Sequence, residues 1–232
     1  MLKKPLKSGS FFGSEKVFRG IIALFSLSVF IVGAAVVYEL VTASRLSFKT
    51  FGLDFLFSEA WNPVEQVYGA LPFIWGTFYT SVLALLLALP VSLGIAIFLT
   101  ELAPVTLRQP IGFVIELLAA IPSLVYGIWG LFVLAPLFQQ YVQPYLAKFD
   151  YLPFFKGYPL GLGIMTASII VAVMIIPTIS AISREVMYTV PETQKEGGLA
   201  LGMTRWEVVS KVIIPYSRSG ILGAVILGFG RA

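Results

Sequence analysis

The stretch EGGLALGMTRWEVVSKVIIP, residues 196–215, interrupts a chain that is otherwise strongly apolar. It carries Glu196, Arg205, Glu207 and Lys211 between two uncharged runs and closes on Pro215. Thr204-Arg205-Trp206-Glu207 has the spacing of a capping box, in which the threonine oxygen accepts from one free amide and the glutamate reaches back to another. Gly197, Gly198 and Gly202 lie just upstream, where a helix is weakened or the backbone approaches a neighbour closely. Proline has no N–H to donate inside a helix, so Pro215 is expected to end what Thr204 starts. The spacing predicts a short surface helix from Arg205 to about Val212, with Trp206, Val209 and Ile213 as one apolar stripe. Adhesion to lipid and docking onto a protein partner both suit such a helix.

Outward from this segment, the composition is that of a membrane protein. Of 232 residues, 58% are hydrophobic and 12% charged, with a mean hydropathy of +0.90; soluble domains carry about 25% charged residues. There is no histidine and no cysteine, which excludes histidine metal ligands, histidine proton relays and thiolate chemistry. No metal, cofactor or catalytic residue is expected. The net charge of +4 reads as loop chemistry, not as a nucleic-acid footprint.

A transmembrane helix needs roughly 20 mostly apolar residues. Gly20–Tyr38, Gly76–Leu99, a run from about Ile111 to Phe138 and Pro159–Ser183 meet that length. A fifth run, SGILGAVILGFG after Arg218, reaches only about 18 Å at 1.5 Å per residue. That shortness predicts a chain cut before its pattern is finished, the alternative being a re-entrant or interfacial helix. The expected organisation is a cytoplasmic tail over 1–19, a first transmembrane helix over 20–41, an outer aromatic-rich loop over 42–75 and a helical domain over 76–232. The "VTA" before Ser44 looks like a signal-peptide cleavage site, but the apolar run before it exceeds the usual length and predicts a retained helix.

Basic residues orient the chain. With the N-terminus inside, cytoplasmic segments hold Lys3, Lys4, Lys7, Lys16, Arg19, Arg108, Arg184, Lys195, Arg205, Lys211 and Arg218, against Arg45, Lys49, Lys148 and Lys156 outside. The outer loop is rich in aromatic residues (Phe48, Phe51, Phe55, Phe57, Trp61, Tyr68), as expected of an interfacial anchor. A docking surface for an outside partner is the sharper alternative.

The polar segment resembles the signature loop of ABC-importer permeases: Glu-Ala-Ala, three residues, Gly, nine residues, then Ile, any residue, Leu-Pro. Here it reads Glu196-Gly197-Gly198, Gly202 and Val212-Ile213-Ile214-Pro215, with every interval kept. Two glycines replace the alanines, each costing about 1 kcal/mol of helix propensity. The stretches 76–102, 116–136 and 184–232, with Ile121-Pro122-Ser123 and Gly230-Arg231-Ala232, resemble the phosphate-specific (PstC-type) branch of that family. The resemblance implies an all-α, polytopic membrane helix bundle with a short cytoplasmic coupling helix. It implies a permease subunit importing inorganic phosphate by alternating access in the inner membrane of a bacterium. It also implies the partners: two copies of an ATP-hydrolysing ABC subunit, a second permease subunit and an extracytoplasmic phosphate-binding protein. The coupling residues it implies are Glu196, Gly202, Thr204, Arg205, Trp206, Glu207 and Pro215. The family pattern continues past Gly-Arg-Ala, so a longer chain is expected on this ground too.

Arg231 is the side chain of most interest, because a cation in hydrocarbon costs at least about 2.5 kcal/mol and faces a cavity, a partner or a substrate. A guanidinium pairs bidentately with phosphate, and the resemblance places functional weight on this arginine, so it is expected in the substrate path or its gate. Glu116 is expected to snorkel to the cytoplasmic edge, with a pairing to Arg108 as the alternative. Pro90, Pro122 and Pro177 are expected to kink continuous membrane helices. Pro122-Ser123 is the one of these places where a hydroxyl and freed carbonyls would flank a substrate path, against core packing as the plainer account.

Without the G-x-x-x-x-G-K-[ST] pattern, ATP hydrolysis falls to a separate subunit. Two other classes compete with the permease reading. An ion-coupled transporter or channel for an anion needs titratable groups near midplane, and the only candidates are Arg231 and Glu116. A membrane enzyme or non-transporting scaffold lacks a nucleophile–base pair. The loop spacing separates the permease from both.

Overall fold

The computed structural model describes residues 11–146 and 160–232. The first ten residues lie outside it, as do Lys148 and Lys156 of the expected outer loop and Pro159 at the start of the fourth apolar run. Among the described residues the fold is helical: α1 Phe11–Phe51, α2 Leu71–Leu102, α3 Val105–Ala120, α4 Ser123–Leu146, α5 Ile164–Tyr188, α6 Glu192–Ala200 and α7 Arg205–Arg231. All but α3 and α6 are long and apolar enough to span a membrane. In hydrocarbon every backbone N–H and C=O must be satisfied within the protein, and a helix does this within one segment.

The chain divides into two compact units, Met1–Pro72 and Phe73–Ala232. In the first, α1 runs ten residues past the end expected at 41, so the outer segment begins as helix, not loop. A one-turn 3₁₀ helix, Leu53–Leu56, and a two-stranded antiparallel hairpin follow, β1 Trp61–Asn62 paired with β2 Val67–Tyr68. Phe51, Phe55, Trp61 and Tyr68 pack on one another here, Tyr68 meeting Trp61 and Phe51 edge-on at ring-centroid distances of 5.1 and 5.8 Å.

The second unit is built around α5, the most buried of the spans. Ser81, Ala84, Ala88, Ser92 and Ala96 recur at helical spacing as the buried face of α2. On α7, Gly220, Ala224 and Gly228 form a matching row. A Cβ at Gly220 would overlap Val186, and one at Gly228 would overlap Ile179, so α5 and α7 pack antiparallel at close range. Between lipid-soluble helices the gain comes from such close packing, because the tails are as apolar as the side chains.

Two expectations about proline are overturned. The run through Ile111–Phe138 is not one kinked helix. It breaks at Ile121-Pro122, both in extended backbone (ψ 130 and 140), leaving α3 and α4 as separate pieces. Conversely, Pro215 ends nothing. The helix that starts at Arg205 passes through it to Arg231, so the predicted short helix is the first turns of a span, and the fifth run is its second half. The continuity comes from a π-turn at Val209–Ile213, where Ile214 N–H bonds Val209 O, five residues back. Such wide turns also occupy Phe98–Leu102, Gly130–Leu134 and Phe138–Val142, and each ends two residues before a proline: Pro104, Pro136 and Pro144. A proline ring clashes with the carbonyl four residues back. Widening the preceding turn by one residue makes room for the ring, and the helix continues through Pro136, Pro144 and Pro215, whereas at Pro104 α2 ends.

Candidate functional site

The polar segment folds as helix, tight turn, helix. α6 carries Lys195 and Glu196 and is closed by Gly202 at φ 82°, where Met203 N–H bonds Gly198 O and Gly202 N–H bonds Leu199 O. These two bonds are the Schellman closure, which favours glycine at the left-handed position. The next helix opens with the capping box that the spacing predicts. Glu207 N–H donates to Thr204 Oγ1 at 3.3 Å, and Thr204 N–H donates to Glu207 Oε2 at 2.9 Å. Glu207 is also paired with Lys211 at 3.0 Å.

The short helix of the segment is therefore α6, which ends at Ala200, before the Arg205 at which the sequence started it. The expected stripe also divides, since Val209 and Ile213 are buried while Trp206 is 62% exposed. Gly198 is the close approach that the glycines suggested: a Cβ there would sit 3.1 Å from Val208 Cγ2 and 3.7 Å from Val212 Cγ2. Gly197 faces open space. The exposed face combines Glu196, Leu199, Leu201, Arg205 and Trp206, a charged and apolar surface beside a cleft of about 200 Å³ lined in part by Glu101, Lys195 and Glu196.

Beneath that face lies a charge that sequence reasoning passed over. Lys195, only 11% exposed at its side chain, bonds Glu101 Oε1 at 3.0 Å and Glu192 Oε1 at 3.2 Å. Burial alone would depress the ammonium's pKa, but the two carboxylates outweigh it and hold the value above the ordinary 10.5. A raised value keeps Lys195 charged through the neutral range, and its contribution to stability is lost only as pH climbs above about 10.5. The i, i+3 spacing from Glu192 was the available signal in the sequence; nothing there marked Glu101.

The second constellation is at Arg231. Its Nη1 donates to Ala119 O at 3.0 Å and to Thr178 Oγ1 at 2.7 Å, and its Nη2 donates to Ile121 O at 3.2 Å. The guanidinium thus sits on two carbonyls of the α3–α4 break, one of them that of Ile121 just before Pro122, and on the residue after Pro177. Another carbonyl of the break, Leu118 O, accepts from Tyr126 Oη at 2.9 Å. Thr178 lies about 15 Å along α5 from Tyr188 at 1.5 Å per residue, half of a roughly 30 Å hydrocarbon layer. Arg231 has no carboxylate partner among the described residues. Its charge is met by carbonyl and hydroxyl dipoles at the negative end of α3. Thr178 and Tyr126 were not foreseen.

Glu116 does not snorkel alone, and its partner is not Arg108. It pairs with Arg184 at 2.6 Å, while Arg108 Nε donates to Ala103 O at 2.9 Å. Gly112, where a Cβ would overlap the Arg184 guanidinium, lets that side chain lie against α3.

The family described as "Binding-protein-dependent transport system inner membrane component" matches residues 92–232, from mid-α2 through the signature segment to Arg231. The chain belongs to that family. It is similar to the phosphate transport system permease protein PstC of Pasteurella multocida, 50% identical over 94% of this chain and 70% of that protein. PstC of Haemophilus influenzae is 50% identical over 100% of this chain and 75% of that protein. PstC of Mesorhizobium japonicum is 46% identical over 94% and 68%. The chain is thus a multi-pass membrane permease subunit of an ABC importer, a transport component and not an enzyme.

Proposed function

We propose that this permease carries inorganic phosphate into a bacterium through the inner membrane, by alternating access coupled to ATP hydrolysis on a separate subunit. The observation that carries the reading is the exposed helix–turn–helix of Glu192–Val208. A Schellman closure and a capping box fix its shape independently of any partner. A surface that must transmit force is better made rigid at both helix ends than left to order on binding. Its exposed Glu196, Arg205, Leu199, Leu201 and Trp206 suit a protein cleft that is part charged and part apolar.

The partners in this reading are two copies of the ATP-hydrolysing subunit, a second permease subunit and an extracytoplasmic phosphate-binding protein. The excess of Lys and Arg on the segments flanking this loop supports a cytoplasmic position for it and for the N-terminus. The contacts of Glu196, Gly202, Thr204, Arg205, Trp206, Glu207 and Pro215 then form the coupling element. Arg231, with Pro122 and Ser123, belongs to the substrate path or its gate. Its guanidinium has five N–H donors, and the carbonyl and hydroxyl contacts occupy three. The remaining donors suit a phosphate oxygen.

Phosphate as the substrate rests on the names of the relatives and on this one cation. The ion-coupled transporter or channel for an anion is disfavoured by the lack of a carboxylate beside Arg231 among the described residues. The test is affinity purification of the full-length protein from its native membrane, wild type beside Glu196→Arg/Gly202→Asp. An ATPase accompanying the wild type and lost from the variant is the expected result. Intact protein without an ATPase in both samples overturns the reading.

A further inference from the structure

We propose that Lys195 is a positioning residue that ties the coupling helix α6 to the cytoplasmic end of α2, so that force reaching α6 moves the π-turn at Phe98–Leu102. This deepens the transport reading and rests on it.

The ammonium is buried, and breaking a buried ion pair by removing one partner is costly, because the other charge is left uncompensated. Glu192, one turn back on the same helix, aims the lysine, and Glu101 receives it across the fold. Glu101 does not sit on a regular helix. It lies in the π-turn that precedes the Ala103-Pro104 corner, where Ala103 N–H bonds Phe98 O at 2.7 Å. Other links converge on the same turn: Tyr188 Oη donates to Leu99 O at 3.4 Å, and Thr100 Oγ1 lies 3.9 Å from Met187 Sδ. The last turn of α5 and the buried face of α6 are thus both fastened to one stretch of five residues.

The rest of α6 is held differently. Gly198 rests against Val208 and Val212, and the Schellman turn at Gly202 joins α6 to the start of α7 as one rigid piece. Lys195 is the pin that fastens this piece to α2. The π-turn is the natural place for the pin to act. It holds one residue more than an α-turn, and shedding that residue into the corner would rotate everything beyond it by about 100°. Beyond the corner lies α3, whose far end carries the carbonyls that Arg231 holds, so a rotation there reaches that constellation.

The test uses the complete importer, this chain with its partner permease and ATPase, in lipid nanodiscs. ATP hydrolysis is measured with and without phosphate-loaded binding protein for wild type, Lys195→Gln, Glu101→Gln, the double variant, Lys195→Arg and Glu192→Gln. Lys195→Gln and Glu101→Gln are each expected to cut stimulated hydrolysis by at least about fivefold. The ATPase should still co-purify, and basal hydrolysis should stay within about twofold. The double variant should be no worse than either single one, since both remove the same link. Lys195→Arg should retain most of the stimulation, and Glu192→Gln should lose little, because the cross-link remains. Full stimulation in Lys195→Gln overturns the proposal. So does loss of the co-purifying ATPase, which would make Lys195 a determinant of docking. A wild-type complex with no phosphate-dependent hydrolysis would instead overturn the import reading, and this inference with it.

Discussion

Pro122 and Pro215 are the same residue in the same kind of setting, apolar and β-branched on the N-terminal side, yet the chain does opposite things at them. At Pro122 the helix stops and two extended residues intervene. At Pro215 the helix continues, with Ile214 at φ −61°, ψ −47°. What differs is how the lost hydrogen bonds are replaced. At Pro215 the backbone replaces them by shifting to five-residue bonds in the preceding turn. At Pro122 side chains from elsewhere do so: Tyr126 on Leu118 O, and Arg231 on Ala119 O and Ile121 O. Of these two prolines, the one that breaks its helix has side chains on the freed carbonyls, and the one that stays within its helix does not.

If that is what separates them, Arg231→Met should have the largest effect. It strips donors from two carbonyls and the Thr178 hydroxyl at mid-depth, where an unpaired buried polar group costs about 1–3 kcal/mol each. The thermal midpoint of the purified protein should fall by many degrees, and phosphate uptake by cells should be lost while protein remains in the membrane. Arg231→Lys should recover only part of both, because an ammonium cannot reproduce the planar fork. An unchanged melting midpoint in the methionine variant would mean that water serves the break, and the contrast between the two prolines would lose its basis.

Tyr126→Phe probes the same break with one bond instead of three. Leu118 O keeps a second partner, the Ile121 N–H at 3.3 Å, so the loss should stay near 1 kcal/mol. Uptake should persist, with a lower thermal midpoint as the readout. An effect as large as that of Arg231→Met would move the centre of the constellation from the arginine to the tyrosine.

How much of this was legible beforehand follows from the range of the forces involved. The capping box, the membrane spans and the close approach at Gly198 are set by neighbours in sequence, and the spacing of Thr204 and Glu207 or the run of uncharged residues states them directly. The family resemblance rested on intervals, and those are local too. What was misread depends on groups far apart in the chain. Pro122 cannot be told from a kink without knowing that Arg231, more than a hundred residues later, reaches Ile121. Glu116 finds Arg184 and not Arg108 because Gly112 leaves room for the guanidinium, which lies 68 residues along the chain. Lys195 looked like a surface cation in a polar loop, and only its burial against Glu101 makes it otherwise. The small-residue faces of α2 and α7 were readable as i, i+4 rows, but within alanine- and glycine-rich runs they do not stand out.

The smallest effect should come from Pro215→Ala, and it is the sharpest test of the contrast. Alanine restores an N–H and removes the ring, so the turn before it no longer needs five-residue bonds. If the π-turn exists only to admit the ring, Val209–Ile213 should relax to ordinary α-helix, with stability changing by no more than about 0.5 kcal/mol, since the change frees no buried polar group. Hydrogen exchange across Lys211–Ile214 would report the altered bonding. The relaxation would also turn the first two turns of α7 relative to the rest, carrying Val208 and Val212 away from Gly198. Uptake should therefore fall more than stability does. A variant that keeps its π-turn would show that packing of α6 on α7 imposes the wide turn and that the proline merely occupies it. The other three π-turns, each ending two residues before a proline, would then need the same explanation.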